Sequence, residues 1–198
     1  VIIVAAGLAS YFLPRLTLAD SIVSAISPDS GWDSTLLGLL AYVVGVNAFW
    51  TLGIHGTIAM TPWGHTLSGN SAENAAAFAQ GLAIPNLAPG SIFPAFVHLG
   101  GSGSALALCI AVFLVAKSKN KRVICAAALP VVCFNVNEFV LYGLPVIFSR
   151  YLAVPFVLAP VEGTLTTYLA LSAGMVPVPT VQLSWTAPEL LGEYVATH

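Results

Sequence analysis

Charge is what this chain has least of. Asp, Glu, Lys and Arg together make up 7% of its 198 residues, against about 25% in a soluble domain. The chain cannot cover itself with a water-facing surface. With six basic residues and no basic stripe, it is no match for nucleic acid. Cysteine is sparse too. Cys109, Cys125 and Cys133 all stand in apolar runs and form no CxxC pair, so they read as inert buried thiols. No set of His and carboxylate residues has metal-ligand spacing such as HExxH, so no metal and no cofactor are expected. No repeat of 20 to 50 residues is visible. A signal-peptide pattern is also missing, and Val1 stands inside an apolar run. The expectation is a fragment of a longer membrane protein.

What is present is apolar. Hydrophobic residues make up 58% of the chain and the mean hydropathy is +0.90, which predicts an all-α integral membrane protein in a lipid bilayer. Residues 1–34 read as the end of a span (Val1 to Leu13, closed by Pro14-Arg15) followed by an interfacial amphipathic helix. Residues 35–198 read as one transmembrane domain. Thr35 to Ile54 has about the 20 residues a bilayer requires. Residues 57–97 are broken by Pro62, Pro85, Pro89 and Pro94 and by four glycines, with a short helix expected over Asn70–Gln80. His98 to Ser104 is dense in glycine, Gly101 included, which lets a ligand approach the main chain closely. Ala105 to Ala116 is a short apolar span. The loop Lys117 to Arg122 holds four of the six basic residues and should face the cytoplasm. Val123 to Phe148 is broken again, and Tyr151 to Met175 is a span bent by Pro155 and Pro160. The broken segments 57–103 and 123–148 read as two re-entrant helical hairpins. Such paired interruptions point to a transporter binding site.

The second broken segment carries Phe134-Asn135-Val136-Asn137-Glu138 in an otherwise apolar run. An ionisable residue at membrane depth is expensive and defaults to a functional hypothesis, although a carboxylate bonded inside a bundle is the plainer alternative. Asn135 and Asn137 also suit turn formation by side-chain to backbone bonding.

Five motifs stand in a familiar order. They are Phe49 to Gly56 (FWTLGIHG), Ala95 to Gly103 (AFVHLGGSG), Phe134 to Glu138 (FNVNE), Gly143-Leu144-Pro145, and Ser184 to Pro188 (SWTAP). Together they resemble the IIC component of the bacterial phosphoenolpyruvate-dependent sugar phosphotransferase system, within its lactose/cellobiose/chitobiose family. The resemblance covers most of residues 35–198. It implies a homodimeric, multi-pass permease of the bacterial cytoplasmic membrane that binds a β-linked disaccharide. An elevator-like shift then presents the sugar's 6-hydroxyl to a phosphocysteine on the cytosolic IIB component, itself charged through IIA. No covalent phosphate is expected on this chain. The family's signature site residues match Glu138 and His55, which would orient and deprotonate that hydroxyl. Asn137, His98 and Gly101 are expected beside the sugar. Trp50 and Trp185 would either stack on a sugar ring or belong to the interfacial aromatic belt, where Trp32 and Trp63 are also expected. His65 and His198 read as solvent or interface residues. Glu162 either pairs with Arg150 or faces the cavity.

Three departures from the family pattern stand out. Phe139 replaces the usual proline after the glutamate, Ser149-Arg150 replaces a later Asn-Pro, and Glu189 and Glu193 stand in the tail. Two rival readings remain open: a proton-coupled secondary transporter that uses Glu138 and His55 without a phosphorelay, and a non-transporting membrane subunit.

Overall fold

The computed structural model of the chain describes residues 34–182, 184, 186–188 and 194–195. The expected span 1–13, the amphipathic helix of 16–34 up to residue 33, Trp32, Trp185, Glu189, Glu193 and His198 lie outside the described residues. Among the described residues the structure is helical, with no strand.

Helix α1 spans Leu36–Thr51. Thr35 caps it, its hydroxyl accepting the Gly38 N–H at 3.2 Å, and so satisfies one of the donors a helix start leaves free. Leu39, Tyr42, Val43, Val46 and Trp50 recur at helical spacing and are buried. Gly53, at a φ of +78°, ends the helix in a left-handed conformation. One turn of helix, α2 (Gly56–Ala59), follows.

Helix α3 runs Thr61–Ala79, nine residues earlier than the expected start at Asn70. Pro62 sits in its first turn, where a missing N–H costs nothing. Its buried stripe is Trp63, Leu67, Ser71 and Asn74. Half of that stripe is polar, so hydropathy alone does not reveal the helical period. The chain then returns along α3 without regular structure. Asn74 grips the return through Asn86, donating to its carbonyl at 2.8 Å and accepting its N–H at 3.0 Å.

A π-helical turn, Phe93–Val97, leads through the glycine-rich loop into α4 (Ala105–Val115). Helix α5 (Lys119–Val132) packs against α4. The expected basic loop is therefore mostly the first turn of α5, and Arg122 reaches back to the Ala116 carbonyl at 2.9 Å. The short helix α6 (Glu138–Gly143) packs on α5. The long helix α7 (Arg150–Ser172) packs along α1 and against the π-helical turn.

Among the described residues, α7 is the one helix both long and apolar enough to cross a membrane, while α1 and α4 are shorter apolar helices. Large apolar side chains face outward: Leu114 is 76% exposed, Val115 77% and Leu169 62%. An apolar exterior of this kind is suited to lipid or to further protein, not to water.

Three expectations change. Trp63 is not at an interface but 2% exposed, with its ring 6.2 Å from that of Tyr42. Cys133 is exposed, whereas Cys109 and Cys125 are buried as expected. Arg150 and Glu162 do not pair. Arg150 donates to the Tyr151 hydroxyl at 2.9 Å, and Glu162 accepts from the Thr166 hydroxyl at 3.2 Å on the exposed side of α7. Glu162 finds its partner one helical turn on, at i+4, and Arg150 finds its own in the adjacent residue, so neither requires the other.

Candidate functional site

A cavity of about 370 Å³ opens between α1, α2, α3, the π-helical turn and the turn before α6. Ligand cavities run from roughly 300 to 1,000 Å³. Of the sequence-predicted site residues, Glu138, His55, Asn137, Trp50, His98 and Gly101 all line it. Trp185 lies outside the described residues. Residues separated by more than eighty positions are thus brought to one wall.

The backbone around Asn135 to Glu138 explains how. Asn135 adopts a φ of +64°, a left-handed conformation that asparagine tolerates better than most residues. That turn aims both asparagine side chains at the glycine loop. The Asn135 side-chain oxygen accepts the Gly101 N–H at 2.9 Å. The Asn137 amide donates to the Ser102 carbonyl at 2.7 Å. The Asn135 amide also reaches the Ala187 carbonyl at 3.3 Å. Asn135 sits in a turn and Asn137 directly precedes α6, but the side chains of both tie distant segments together and do not close a local turn. Gly101 is required there: its φ is +91°, and a Cβ on it would sit 2.7 Å from the Asn135 carbonyl oxygen.

Glu138 opens α6 directly after this clamp. Its Oε2 is shielded from solvent and has no hydrogen-bond partner. His55 caps α2, its Nδ1 accepting the Ile58 N–H at 3.4 Å. A neutral ring in this arrangement carries its proton on Nε2, which is left as a donor. The Trp50 and His55 rings lie 4.4 Å apart, centroid to centroid, tilted by 46°. Gly56 leaves no space for a side chain between the Val46 carbonyl and the Trp50 indole. His98 packs its ring 5.5 Å from that of Phe93.

Four atoms give the cavity its chemistry. Trp50 Nε1, Ser91 Oγ, His98 Nε2 and Glu138 Oε2 are each buried without a hydrogen-bond partner, and all four residues line this cavity. An unsatisfied buried polar group costs about 1–3 kcal/mol. Four such residues around one space suit a candidate ligand that both donates and accepts hydrogen bonds. Trp50, Tyr42 and Phe93 add aromatic surface. Among the described residues no group of three His, Cys, Asp or Glu side chains could hold a metal ion.

Sequence reasoning missed Ser91, Ser102, Tyr42 and the α3 residues Ser68 and Ser71, all in the wall. Small hydroxyl residues in a proline-rich stretch carry no distinctive pattern. The polar positions of α3 at helical spacing were the available signal.

Comparison with known proteins is consistent across sequence and structure. The family model described as "Phosphotransferase system, EIIC" matches residues 1–160. The PTS system oligo-beta-mannoside-specific EIIC component of Bacillus subtilis (strain 168) is 35% identical over 191 residues, covering 93% of this chain and 42% of that protein. The PTS system cellobiose-specific EIIC component of Lactococcus lactis subsp. lactis (strain IL1403) is 27% identical over 218 residues, covering 96% of this chain and 44% of that protein. Among solved structures, the transporter ChbC, the IIC component from the N,N'-diacetylchitobiose-specific phosphotransferase system, superposes with a TM-score of 0.77 at 27% identity, covering 96% of this chain and 42% of that one. The chain thus spans less than half the length of the relatives it matches.

Proposed function

The chain belongs to the EIIC family of the phosphotransferase system, and from that premise we propose that it is the substrate-binding part of a sugar permease for a β-linked disaccharide. The observation that carries the reading is the convergence of Trp50 Nε1, Ser91 Oγ, His98 Nε2 and Glu138 Oε2, each buried and unpartnered, on one cavity. A sugar offers hydroxyls that donate and accept, together with an apolar ring face that suits an indole or phenyl ring. Relatives named for oligo-beta-mannoside and cellobiose, and a solved relative named for N,N'-diacetylchitobiose, support the substrate class.

In this reading Glu138 accepts the 6-hydroxyl proton while His55, through Nε2–H, holds the same hydroxyl or its neighbour. The sugar oxygen attacks the phosphorus of the IIB phosphocysteine. The new O–P bond forms as the S–P bond breaks, and the thiolate leaves on IIB. Positioning and charge stabilisation supply most of the acceleration in such transfers, and a general base adds to it. No phosphate rests on this chain. The full-length protein is a homodimer in the bacterial cytoplasmic membrane, with residues 57–103 and 123–148 as re-entrant hairpins. IIB docks on the side bearing Lys117 to Arg122.

The test is Glu138→Gln in the full-length permease, with sugar binding and IIB-dependent phosphorylation both measured. Phosphorylation should fall at least a hundredfold, the lower end of general-base contributions, while the fold is kept. Wild-type phosphorylation in the variant overturns the role of Glu138. Sugar uptake that persists without the phosphorelay overturns the permease class.

A further inference from the structure

The α3 wall of the cavity differs from the wall that carries Glu138 and His55. Helix α3 presents Gly64, Leu67, Ser68 and Ser71 to the cavity, at i, i+3, i+4 and i+7. The returning segment crosses this stripe at Gly90 and Ser91. Gly90 N–H donates to the Leu67 carbonyl at 2.9 Å. A Cβ on Gly90 would lie 2.8 Å from that carbonyl group, so only glycine permits so close a crossing. Ser91 N–H donates to Ser71 Oγ at 3.0 Å. Ser71 in turn donates its own hydroxyl to the Leu67 carbonyl at 3.2 Å.

Two serines thus meet at the crossing with opposite fates. The Ser71 hydroxyl is spent, donor and acceptor both, on holding the strap to the helix. The Ser91 hydroxyl is buried, in a residue 4% exposed, and has no partner. Its backbone is anchored at its own N–H and at that of the residue before it. The backbone that carries the hydroxyl is therefore held at the cavity wall before any ligand arrives, so a ligand need not order that segment on binding.

We infer that Ser91 is a specificity-determining residue of this cavity, its hydroxyl hydrogen-bonding one hydroxyl of the bound sugar on a wall kept small by Gly90 and the serines of α3. The inference rests on the sugar-permease reading. A neutral hydroxyl both donates and accepts, so it selects for the presence of a sugar hydroxyl, not for charge. A substrate lacking that one hydroxyl leaves Ser91 buried and unpaired, and is disfavoured for that reason.

The experiment is calorimetric binding to the detergent-solubilised full-length permease, with cellobiose, mannobiose and the series of monodeoxy analogues of whichever binds. One analogue should bind wild type roughly three- to tenfold more weakly than the parent sugar, the range of one neutral hydrogen bond. Ser91→Ala should lose a similar factor for the parent sugar and bind parent and that analogue alike, while Ser91→Thr, which keeps the hydroxyl, restores the distinction. Ser71→Ala, which loosens the strap, should instead lower the melting temperature and weaken all analogues together. If Ser91→Ala ranks the analogues as wild type does, or weakens all of them uniformly, the inference is overturned while the permease reading stands. Wild type that binds neither disaccharide overturns the permease reading and this inference with it.

Discussion

Asn137 sits beside the proposed reacting groups, yet its amide is committed to the Ser102 carbonyl at 2.7 Å. Its first duty is to hold the glycine loop, and any sugar contact must use what remains of the side chain. Asn137→Ala leaves that buried carbonyl unpaired, a loss of about 1–3 kcal/mol. Asn137→Asp is expected to be worse, because a carboxylate then faces a carbonyl. Thermal unfolding of the two variants in detergent checks the order, and an unchanged melting temperature in both would mean the clamp contributes nothing. Gly101→Ala forces a Cβ to within 2.7 Å of the Asn135 carbonyl oxygen at a φ of +91°. Backbone strain of that kind costs on the order of 1–3 kcal/mol. Weaker sugar binding should accompany the loss of stability, since the same loop lines the cavity. Binding retained at full strength would show that the loop's position is immaterial.

At the scale of elements, the chain uses irregular backbone where polar side chains can hold it. The return segment after α3 depends on Asn74, which makes two bonds to the Asn86 backbone, while Asn86 reaches the Glu73 carboxylate at 3.0 Å. Asn74→Ala should loosen residues 80–92 without unfolding α3. Faster amide exchange confined to that segment is the expected result, and an unchanged exchange pattern would contradict it. The start of α6 accounts for a departure from the family pattern. Phe139 occupies the first turn of α6 and is 63% exposed. First-turn N–H groups have no intrahelical partner, so a proline is compatible there but not required, and phenylalanine serves as outward-facing apolar surface. In α7, Pro155 and Pro160 lie inside a continuous 23-residue helix, and Thr164 donates to the Pro160 carbonyl at 2.8 Å. This is a back-bond of the threonine to its own helix, one turn earlier.

At the scale of the molecule, an apolar core and the polar groups of the cavity are both buried among the described residues, while much of the outer surface is apolar. A basic cluster marks the start of α5, where Lys117, Lys119, Lys121 and Arg122 gather. If this end faces the cytoplasm, as the positive-inside rule requires, a cysteine at Lys119 should react with a membrane-impermeant maleimide in inside-out vesicles only. Cys133 is exposed and must first be replaced by serine, whereas Cys109 and Cys125 are buried and need no change. Labelling from the outer face would reverse the orientation and remove the proposed IIB side.

Composition by itself determined that this chain avoids water, because 7% charge cannot hydrate a globular surface. The apolar stretches also marked α1, α4 and α7 to within a few residues, since their lengths and boundaries follow from hydrophobic runs and from turn or cap residues. The five ordered motifs led to the family and singled out Glu138 and His55. The start of α3 was not legible, because half of its buried stripe is polar. Nor was Trp63, whose place in the core depends on Tyr42 from another helix. The asparagines could be read as turn formers, but not as the clamp that joins residues 101–102 to 135–137. Ser91 was invisible for a related reason. Whether a buried hydroxyl is spent or free depends on which atoms from distant segments lie within hydrogen-bonding reach, and only the tertiary structure decides that.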